Sequence, residues 1–259
     1  MKTYFLHARD FANAGDISCC PYEYFDFLRK HECVFVDLTG NNDRHGPSGM
    51  YWTDVVGRVT KDDVVIVGGG GLAGYVDSWH EAINAMSSRA GRAIGWGFGE
   101  NFAGERKTRV PLDLASFDLV GTRDFKDNAS RYVPCASCMH PQFRCGRRKV
   151  RGRGIVLHRD AVTRPRPALF EGADVVCNSM DVRRLMEFIS GCEEVYSNSY
   201  HACYWAALFN VPVRNLDESP NRKFLRARFD YHGGDNSGFY EECVEISTKF
   251  AEEARDVIV

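Results

Sequence analysis

The stretch VVIVGGGGL at residues 64–72 places four glycines directly after a run of β-branched residues. A short apolar run that ends in glycine is typical of a buried strand in a parallel sheet. Glycine permits a positive φ at the strand end and lets another chain or a ligand approach the backbone closely. This stretch therefore predicts an α/β protein with a ligand site at the ends of its strands.

The composition is that of a soluble globular protein. Hydrophobic residues make up 44% and charged residues 26% of the 259 residues, and the formal net charge is −2. This charge favours neither nucleic acid nor an anionic membrane as a partner. No apolar run reaches the length of a membrane span, and the first residues lack the apolar core of a signal peptide. We therefore expect a cytoplasmic protein whose ten cysteines are reduced thiols.

Short strand-like runs alternate with segments of helical spacing along the whole chain. The first half predicts strands at 3–8, 33–38, 64–68, 92–97 and 117–122, with helices at 21–31 and 77–91, the second capped by Asp77. The second half predicts strands at 154–158, 173–179, 193–197 and 211–216, with helices at 180–190, 199–210 and 238–258. Alternation of this kind predicts βαβ units and parallel sheets.

The segment 133–154 has no helical or strand period and is rich in Cys, Pro, Gly and Arg, so it predicts a connection between two lobes. We expect an N-terminal lobe over residues 1–150 on the acceptor side. A C-terminal lobe over 151–259 then forms the donor side, with the last helix crossing back to the first lobe. Ligands of doubly wound sheets bind at the carboxyl ends of the strands, which here face a central cleft.

The glycine loop permits a second interpretation. Gly69, Gly71 and Gly74 match the spacing of a dinucleotide fingerprint, which would make the protein an NAD-dependent oxidoreductase. However, the loop follows the third predicted strand rather than the first, and no Lys-Ser/Thr pair completes a P-loop. We expect Gly69, Gly70 and Gly71 to shape the wall of the cleft instead.

Polar residues at other strand ends of the first lobe are candidates for chemistry. FANAGDISCC (11–20), read as a loop after the first strand, brings Asn13, Gly15 and Asp16 to the cleft. Arg123 in DLVGTRDFKD can grip an anion with two parallel hydrogen bonds, and Glu100 in GWGFGEN can act as a general base. The alternatives are a turn or cap at 13–16 and ordinary surface charges at the other two positions.

In the second lobe, CEEVYSNSYHACYWAALFNVPV (192–213) is the most informative stretch. Ser197, Asn198 and Ser199 supply capping side chains where a helix begins. His201 then lies in the first turn, where free N–H groups and the helix dipole favour an anion. The histidine can donate to a phosphate or move a proton, or it can simply bond a backbone carbonyl.

The motifs NAGD, VVIVGGGGL, GTRD and SYHACYWAALFNVPV occur in the order found in the polysaccharide pyruvyl transferase family, which this sequence resembles over most of its length. That family is similar to GT-B glycosyltransferases, so the resemblance implies two Rossmann-like lobes whose parallel sheets face a central cleft. An Arg-Leu pair precedes the histidine in the family, whereas Ser199 and Tyr200 stand here. The matching residues are Asn13, Gly15, Asp16, Gly68 to Gly71, Arg123, Asp124 and His201.

The resemblance implies transfer of a pyruvyl or glycosyl group from a phosphorylated donor to a saccharide or other hydroxyl acceptor, as in polysaccharide biosynthesis. The donor is phosphoenolpyruvate or a nucleotide sugar, and the missing Arg before His201 weakens the case for the former. We expect no cofactor and no metal, because helix N-termini and cations can hold the phosphate. The expected catalytic residues are Asp16, Glu100 and His201, and the expected phosphate-binding residues are Arg123, Ser197, Asn198, Ser199 and His201.

Two other functions stay open. One is a nucleotide-sugar-dependent GT-B glycosyltransferase that acts on a glycan or on modified nucleic-acid bases. The other is a catalytically inactive ligand-binding protein, which the missing Arg before His201 motivates. The sequence does not determine the oligomeric state.

The connecting segment carries two further features. Cys135, Cys138 and Cys145 form one C-x-x-C and a third cysteine, an incomplete zinc pattern that leaves reduced thiols as the alternative. The basic cluster at 144–154, continuing to Arg159, Arg164 and Arg166, predicts a solvated connection or a surface that attracts a phosphorylated donor or an anionic polymer. Nucleic acid is therefore an open, though not the favoured, acceptor.

Overall fold

A computed structural model describes residues 1–39, 50–74, 76–101, 109–125, 130–147, 149–159, 171–216 and 222–259. The first sheet has the strand order β3-β2-β1-β4-β5-β6-β7, and each neighbouring pair is parallel. Its strands are β1 Lys2–His7, β2 Glu32–Asp37, β3 Met50–Tyr51, β4 Val64–Gly68, β5 Arg92–Phe98, β6 Leu119–Thr122 and β7 Arg131–Tyr132. The reversal of order on either side of β1 is that of a doubly wound sheet.

The second sheet is smaller and also parallel, with the order β11-β10-β8-β9. Its strands are β8 Arg151–Leu157, β9 Asp174–Cys177, β10 Cys192–Ser197 and β11 Val213–Asn215. The described helices are α1 Ala14–Ser18, α2 Trp52–Val55, α3 Asp77–Ser87, α4 Val182–Ser190, α5 Tyr200–Leu208, α6 Arg222–Leu225 and α7 Phe239–Ile258. The predicted α/β class with two parallel sheets is confirmed.

Helix α7 packs against the cores of both sheets. Phe239 and Cys243, near its start, belong to the apolar cluster that also contains the buried apolar residues of α5. Phe250 and Ala254, further along, pack with Trp96 of β5 in a cluster of the first sheet. One 20-residue helix therefore joins the two halves of the molecule.

The predicted helix at 21–31 is wrong. The segment instead forms two short 3₁₀ turns, Pro21–Glu23 and Asp26–Arg29, and Phe25 between them has extended backbone. This break lets Phe25 and Phe27 both reach Trp96, with ring centroids 4.9 and 6.5 Å away. Burial of these aromatic rings outweighs continuation of the helix.

Two local expectations near helix starts also need correction. Residues 11–20, read as a loop, contain α1, because the side chain of Asn13 caps this helix by accepting from the Gly15 N–H. Asp77 is not a cap: Val76 occupies that position, and the Asp77 carboxylate instead accepts from the backbone N–H of Arg109 at 2.7 Å. Within the described ranges, no helix has the length and apolar character needed to cross a membrane.

Candidate functional site

A pocket of about 320 Å³ lies where the carboxyl ends of both sheets meet. Residues within three positions of the carboxyl ends of β1, β2, β4, β5, β6, β8 and β10 all contribute to it. Its lining is Ala8, Asp10, Asn13, Asp16, Thr39, Gly71, Trp79, Asn101, Arg123, His158, Arg159, Ser199, Tyr200, His201 and Lys223. The pocket therefore occupies the position expected for a ligand of such sheets.

Asn13 ties the two lobes together at one edge of the pocket. Its side-chain oxygen accepts from the Gly15 N–H and from the Asn178 side-chain amide, each at 3.1 Å. Its amide group donates to the Asp16 carboxylate at 3.0 Å. The backbone N–H of Ala14 adds a bond to the Asn178 carbonyl at 2.9 Å. The motif thus fixes the direction of Asp16 and the contact between the lobes.

Asp16 can exchange a proton near neutral pH. Burial, and to a lesser degree the charge of Asp10, raise the pKa of the Asp16 carboxyl from 3.8 to about 7, although Arg123, Arg159 and Lys223 oppose this. A carboxyl group with such a pKa in a polar pocket is suited to act as a general base.

Arg123 is a buried cation whose hydrogen-bonding capacity is largely unused. The residue is 3% exposed, and its guanidinium lies 4.0 Å from the centre of the Tyr200 ring. Within the described part of the chain, its Nε and Nη1 have no hydrogen-bond partner. A buried guanidinium of this kind is stabilised by an anion that accepts two hydrogen bonds from it. Arg123 therefore places a buried positive charge in the wall of the pocket.

Two glycines make room for this guanidinium. A Cβ on Gly99 would lie 2.6 Å from Cγ of Arg123, and a Cβ on Gly71 would lie 3.2 Å from its Nη2. Gly71 is the member of the predicted glycine loop that lines the pocket. Gly69 and Gly70 form the turn before it, with φ of +69° and +76°, and a Cβ on Gly69 would lie 2.3 Å from the carbonyl oxygen of Cys19. These two glycines pack the loop against the end of α1.

The N-terminus of α5 faces the pocket beside Arg123. Ser199 is its N-cap residue, and among the described residues no side chain caps the helix there. Ser199, Tyr200 and His201 all line the pocket, so the free N–H groups of the first turn and the helix dipole favour a negative charge there.

Ser197 and Asn198, expected to bind phosphate, do not line the pocket. The hydroxyl of Ser197 donates to the Val156 carbonyl at 2.6 Å and accepts from the Ser199 N–H at 2.9 Å. The side-chain oxygen of Asn198 accepts from the His158 N–H at 2.7 Å. Both residues hold the corner between β10 and α5, and so set the position of Ser199 and His158.

His201 is buried and neutral. Burial, with the positive charges of Arg123 and Lys223, lowers its pKa well below 6.5. Its Nε2 lies 3.6 Å from Sγ of Cys135. Its ring fills the space in front of Gly15, where an added Cβ would lie 2.1 Å from Nδ1. His201 therefore adds no positive charge to the pocket, and it can supply one neutral hydrogen-bond donor.

Glu100, the other expected base, lies outside the pocket lining. One of its carboxylate oxygens pairs with Arg226 at 3.2 Å. Its backbone N–H donates to Asp124 at 2.7 Å. Burial raises the pKa of Asp124 to about 6, against the lowering effect of Arg123. Glu100 and Asp124 thus belong to a network behind Arg123.

Several pocket residues were not predicted from the sequence. Asp10 and Arg159 form a two-pronged ion pair between the lobes, with N···O distances of 2.6 and 2.9 Å. Arg159 was predicted only as part of the basic cluster that could attract a phosphorylated donor. Asp10 was not predicted, although both residues follow the end of a predicted strand. Lys223 in α6 lies at no such strand end. The other unpredicted lining residues are Ala8, Thr39, Trp79, Asn101, His158 and Tyr200.

The three cysteines of the connecting segment differ in their exposure to solvent. Cys135 and Cys138 are buried in and beside the 3₁₀ turn Ala136–Met139, whereas Cys145 is exposed. Over the described ranges, no three His, Cys, Asp or Glu side chains come together in a way that could hold a metal ion.

The basic cluster is partly paired where the structure describes it. Arg151 and Arg153 pair with Asp174 and Glu194, and Arg147 donates to backbone carbonyls of Asn210 and Cys192. Arg164 and Arg166 lie outside the described residues. Arg144 and Lys149 are exposed and have no ion pair among the described residues, so part of the charge of this cluster stays unpaired.

We predict that Gly15→Ala strongly reduces ligand binding. The new Cβ would overlap Nδ1 of His201, so the histidine ring must move and the contact between the lobes must open. The effect is measured as loss of donor binding and a lower melting temperature. Gly57→Ala is the matched control, because a Cβ at Gly57 meets nothing within 4 Å. Equal behaviour of the two variants would contradict the packing described here.

The fold and the pocket define a two-lobed α/β protein of the GT-B type. Residues 147–220 match the family described as Polysaccharide pyruvyl transferase. This match includes all four described strands of the second sheet and the whole of α5 with His201. The family resemblance drawn from the sequence is thereby confirmed over that segment.

Solved structures share the fold at low sequence identity. UDP-GlcNAc 2-epimerase of Methanocaldococcus jannaschii, in complex with UDP-GlcNAc and UDP, is 12% identical with a TM-score of 0.51, and the alignment covers 96% of this chain and 100% of that chain. A putative UDP-N-acetylglucosamine 2-epimerase of Listeria monocytogenes is 11% identical with a TM-score of 0.50, and covers 100% and 90% of the two chains. The search of curated protein sequences gave no match.

Proposed function

We propose that this protein is a transferase that moves a pyruvyl or glycosyl group from a phosphorylated donor to a hydroxyl group of a saccharide. The observation that carries the proposal is the buried Arg123 guanidinium, with Nε and Nη1 unbonded among the described residues, in the same pocket as Asp16. The family match over 147–220 supports a transferase of this kind.

In this proposal the donor phosphate binds between Arg123 and the first turn of α5. The guanidinium supplies a fixed positive charge and two N–H donors, and the helix supplies free backbone N–H groups. Asn198 and Ser197 keep this turn in place through their bonds to β8 and to Ser199. No cofactor is required, because the protein's own groups meet the charge of the phosphate.

Asp16 then acts as the base. Its carboxylate accepts the proton of the acceptor hydroxyl while that oxygen forms a bond to the donor carbon. With a nucleotide sugar, the bond from this carbon to the phosphate oxygen breaks in the same step, and the phosphate leaves with the electron pair. With phosphoenolpyruvate, the neighbouring CH2 carbon takes up a proton as the acceptor oxygen adds, and the bond to the phosphate oxygen breaks afterwards, when a second hydroxyl of the saccharide adds and gives up its proton. Arg123 stabilises the negative charge that develops on the leaving group, which is where preorganised donors contribute most to rate.

The acceptor in this proposal is a saccharide rather than nucleic acid. The pocket wall from the first lobe presents Thr39, Asn101 and Trp79, a set of hydroxyl, amide and aromatic groups suited to a sugar ring. Arg151 and Arg153 are paired with carboxylates, so these two arginines give no comparable support to a nucleic-acid acceptor. Both phosphoenolpyruvate and a nucleotide sugar remain within the proposal as donors.

A donor-release assay tests the proposal. The protein is incubated with phosphoenolpyruvate, UDP-glucose or UDP-N-acetylglucosamine, with and without a panel of methyl glycosides, and release of phosphate or UDP is followed by ³¹P NMR. We expect slow release without a glycoside and faster release with a matching one. Binding of a donor with no release above the blank under any condition would support the inactive ligand-binding protein instead.

A further inference from the structure

We infer that Cys135 is a positioning residue that holds His201 in the tautomer with its proton on Nδ1. Cys135 has no place in the transfer step proposed above, and it does not line the pocket. Its thiol nevertheless contacts the imidazole of His201, with Sγ 3.6 Å from Nε2. The tautomer follows from the direction of the hydrogen bonds that end on this thiol.

Trp205 sets the direction of the hydrogen bonds that lead to this thiol, because its indole nitrogen can only donate. This Nε1–H donates to the hydroxyl oxygen of Ser137 at 3.1 Å. The hydroxyl of Ser137 in turn donates to Sγ of Cys135 at 3.3 Å. The Cys135 sulfur thus accepts a hydrogen bond from Ser137. Its own S–H has Nε2 of His201 as its acceptor among the described residues, and we infer that the S–H donates to this nitrogen.

Cys135 keeps this proton because burial raises the pKa of its thiol. For the same reason Cys135 is not a nucleophile paired with His201, since such a nucleophile needs a lowered pKa and access to substrate. With Nε2 as acceptor, a neutral imidazole carries its proton on Nδ1.

The Nδ1–H tautomer of His201 determines which hydrogen-bonding group this residue offers in the pocket. His201 lines it, and within the described residues its Nδ1 has no hydrogen-bond partner. The chain from Trp205 through Ser137 and Cys135 therefore makes His201 a hydrogen-bond donor on the side of Nδ1. That this donor serves the phosphorylated group rests on the proposed function, whereas the tautomer itself does not.

The tautomer is measured by long-range ¹H–¹⁵N NMR of protein with ¹⁵N-labelled histidine, without any donor present. The His201 signals are assigned by their loss in His201→Gln. We expect wild-type His201 to be protonated at Nδ1, Cys135→Ser to keep this form because it retains an O–H donor, and Cys135→Ala to shift toward the Nε2–H form. Cys138→Ala is the matched control, since the Cys138 thiol contacts Ser247 rather than the histidine.

Wild-type His201 protonated at Nε2, or an unchanged tautomer in Cys135→Ala, would overturn the inference. A second readout is donor affinity, which we expect to fall about tenfold in Cys135→Ala, the size of one charge-assisted hydrogen bond, and to stay near wild type in Cys138→Ala. If the tautomer behaves as expected and no donor binds to any variant, the inference stands and the proposed function fails.

Discussion

Arg123→Met is expected to lower the rate of transfer by about 10²–10³-fold, the range seen when one preorganised donor to a developing oxyanion is removed. Donor affinity should fall as well, because methionine fills the space of the arginine stem without its charge. The measurement compares kcat, KM and the donor dissociation constant of the variant with those of the wild-type protein.

The melting temperature of the same variant distinguishes a role of Arg123 in donor binding from a role in stabilising the fold. Arg123 is 3% exposed, and its Nε and Nη1 bond to nothing in the described chain, so its burial costs free energy that a methionine avoids. We therefore expect Arg123→Met to keep or raise the melting temperature at pH 7. Asp124, whose pKa of about 6 Arg123 holds down, should take up a proton more readily in the variant.

Arg131→Met is the matched control for this experiment. Arg131 also stacks on an aromatic ring, 4.7 Å from the centre of Phe250, and pairs with Glu253, but it lies outside the pocket lining. It should lose little or no donor affinity. Equal donor affinity in Arg123→Met and Arg131→Met would show that Arg123 does not bind the donor.

Asp16→Asn is expected to reduce transfer by about 10²–10⁴-fold, the usual contribution of a general base, while donor binding is retained. In the wild-type protein, activity should rise as the pH increases through about 7, because the base must be ionised and its pKa is raised to that value. The variant should lose this pH dependence in its residual activity.

The stability of Asp16→Asn should depend on pH in a defined direction. Because the folded-state pKa of Asp16 is about 7 rather than 3.8, the wild-type protein loses stability as the pH rises from about 4 to 7, and the loss persists above 7. A pKa difference of one corresponds to about 1.4 kcal/mol. The variant escapes this loss, so its melting temperature should exceed that of the wild type at pH 8 and match it near pH 4.

Asp26→Asn is the control for this titration, because Asp26 lies on the surface beside Arg29. It should change neither the activity nor the pH dependence of stability. A wild-type level of transfer in Asp16→Asn at pH 8 would rule out Asp16 as the base and return attention to Asp124 and Glu100.

Much of the sheet framework was predictable because buried strands leave a strong local pattern. Strand β4 covers residues 64–68 as the apolar run indicates, and α5 begins at Tyr200, one residue after the predicted start. The prediction of a helix at 21–31 failed because aromatic rings of this segment pack against Trp96. The spacing of residues within the segment does not reveal that contact.

Only part of the site was predictable, because local sequence patterns do not show contacts between distant parts of the chain. Asn13, Asp16, Arg123 and His201 were found through motifs, and the structure brings them into one pocket. The roles of Ser197 and Asn198 depend on bonds across strands, and the pair of Asp10 with Arg159 depends on how the two lobes meet. Contacts between residues about 150 positions apart leave no trace in a single sequence.

In the proposed function, Arg123 and the start of α5 hold the donor phosphate in the same pocket as Asp16. A crystal structure of the wild-type protein soaked with phosphoenolpyruvate or UDP tests it most directly. We expect a phosphate oxygen within hydrogen-bond distance of the Arg123 guanidinium and of a backbone N–H in the first turn of α5. An ordered phosphate bound elsewhere, with Arg123 still unbonded, would contradict it.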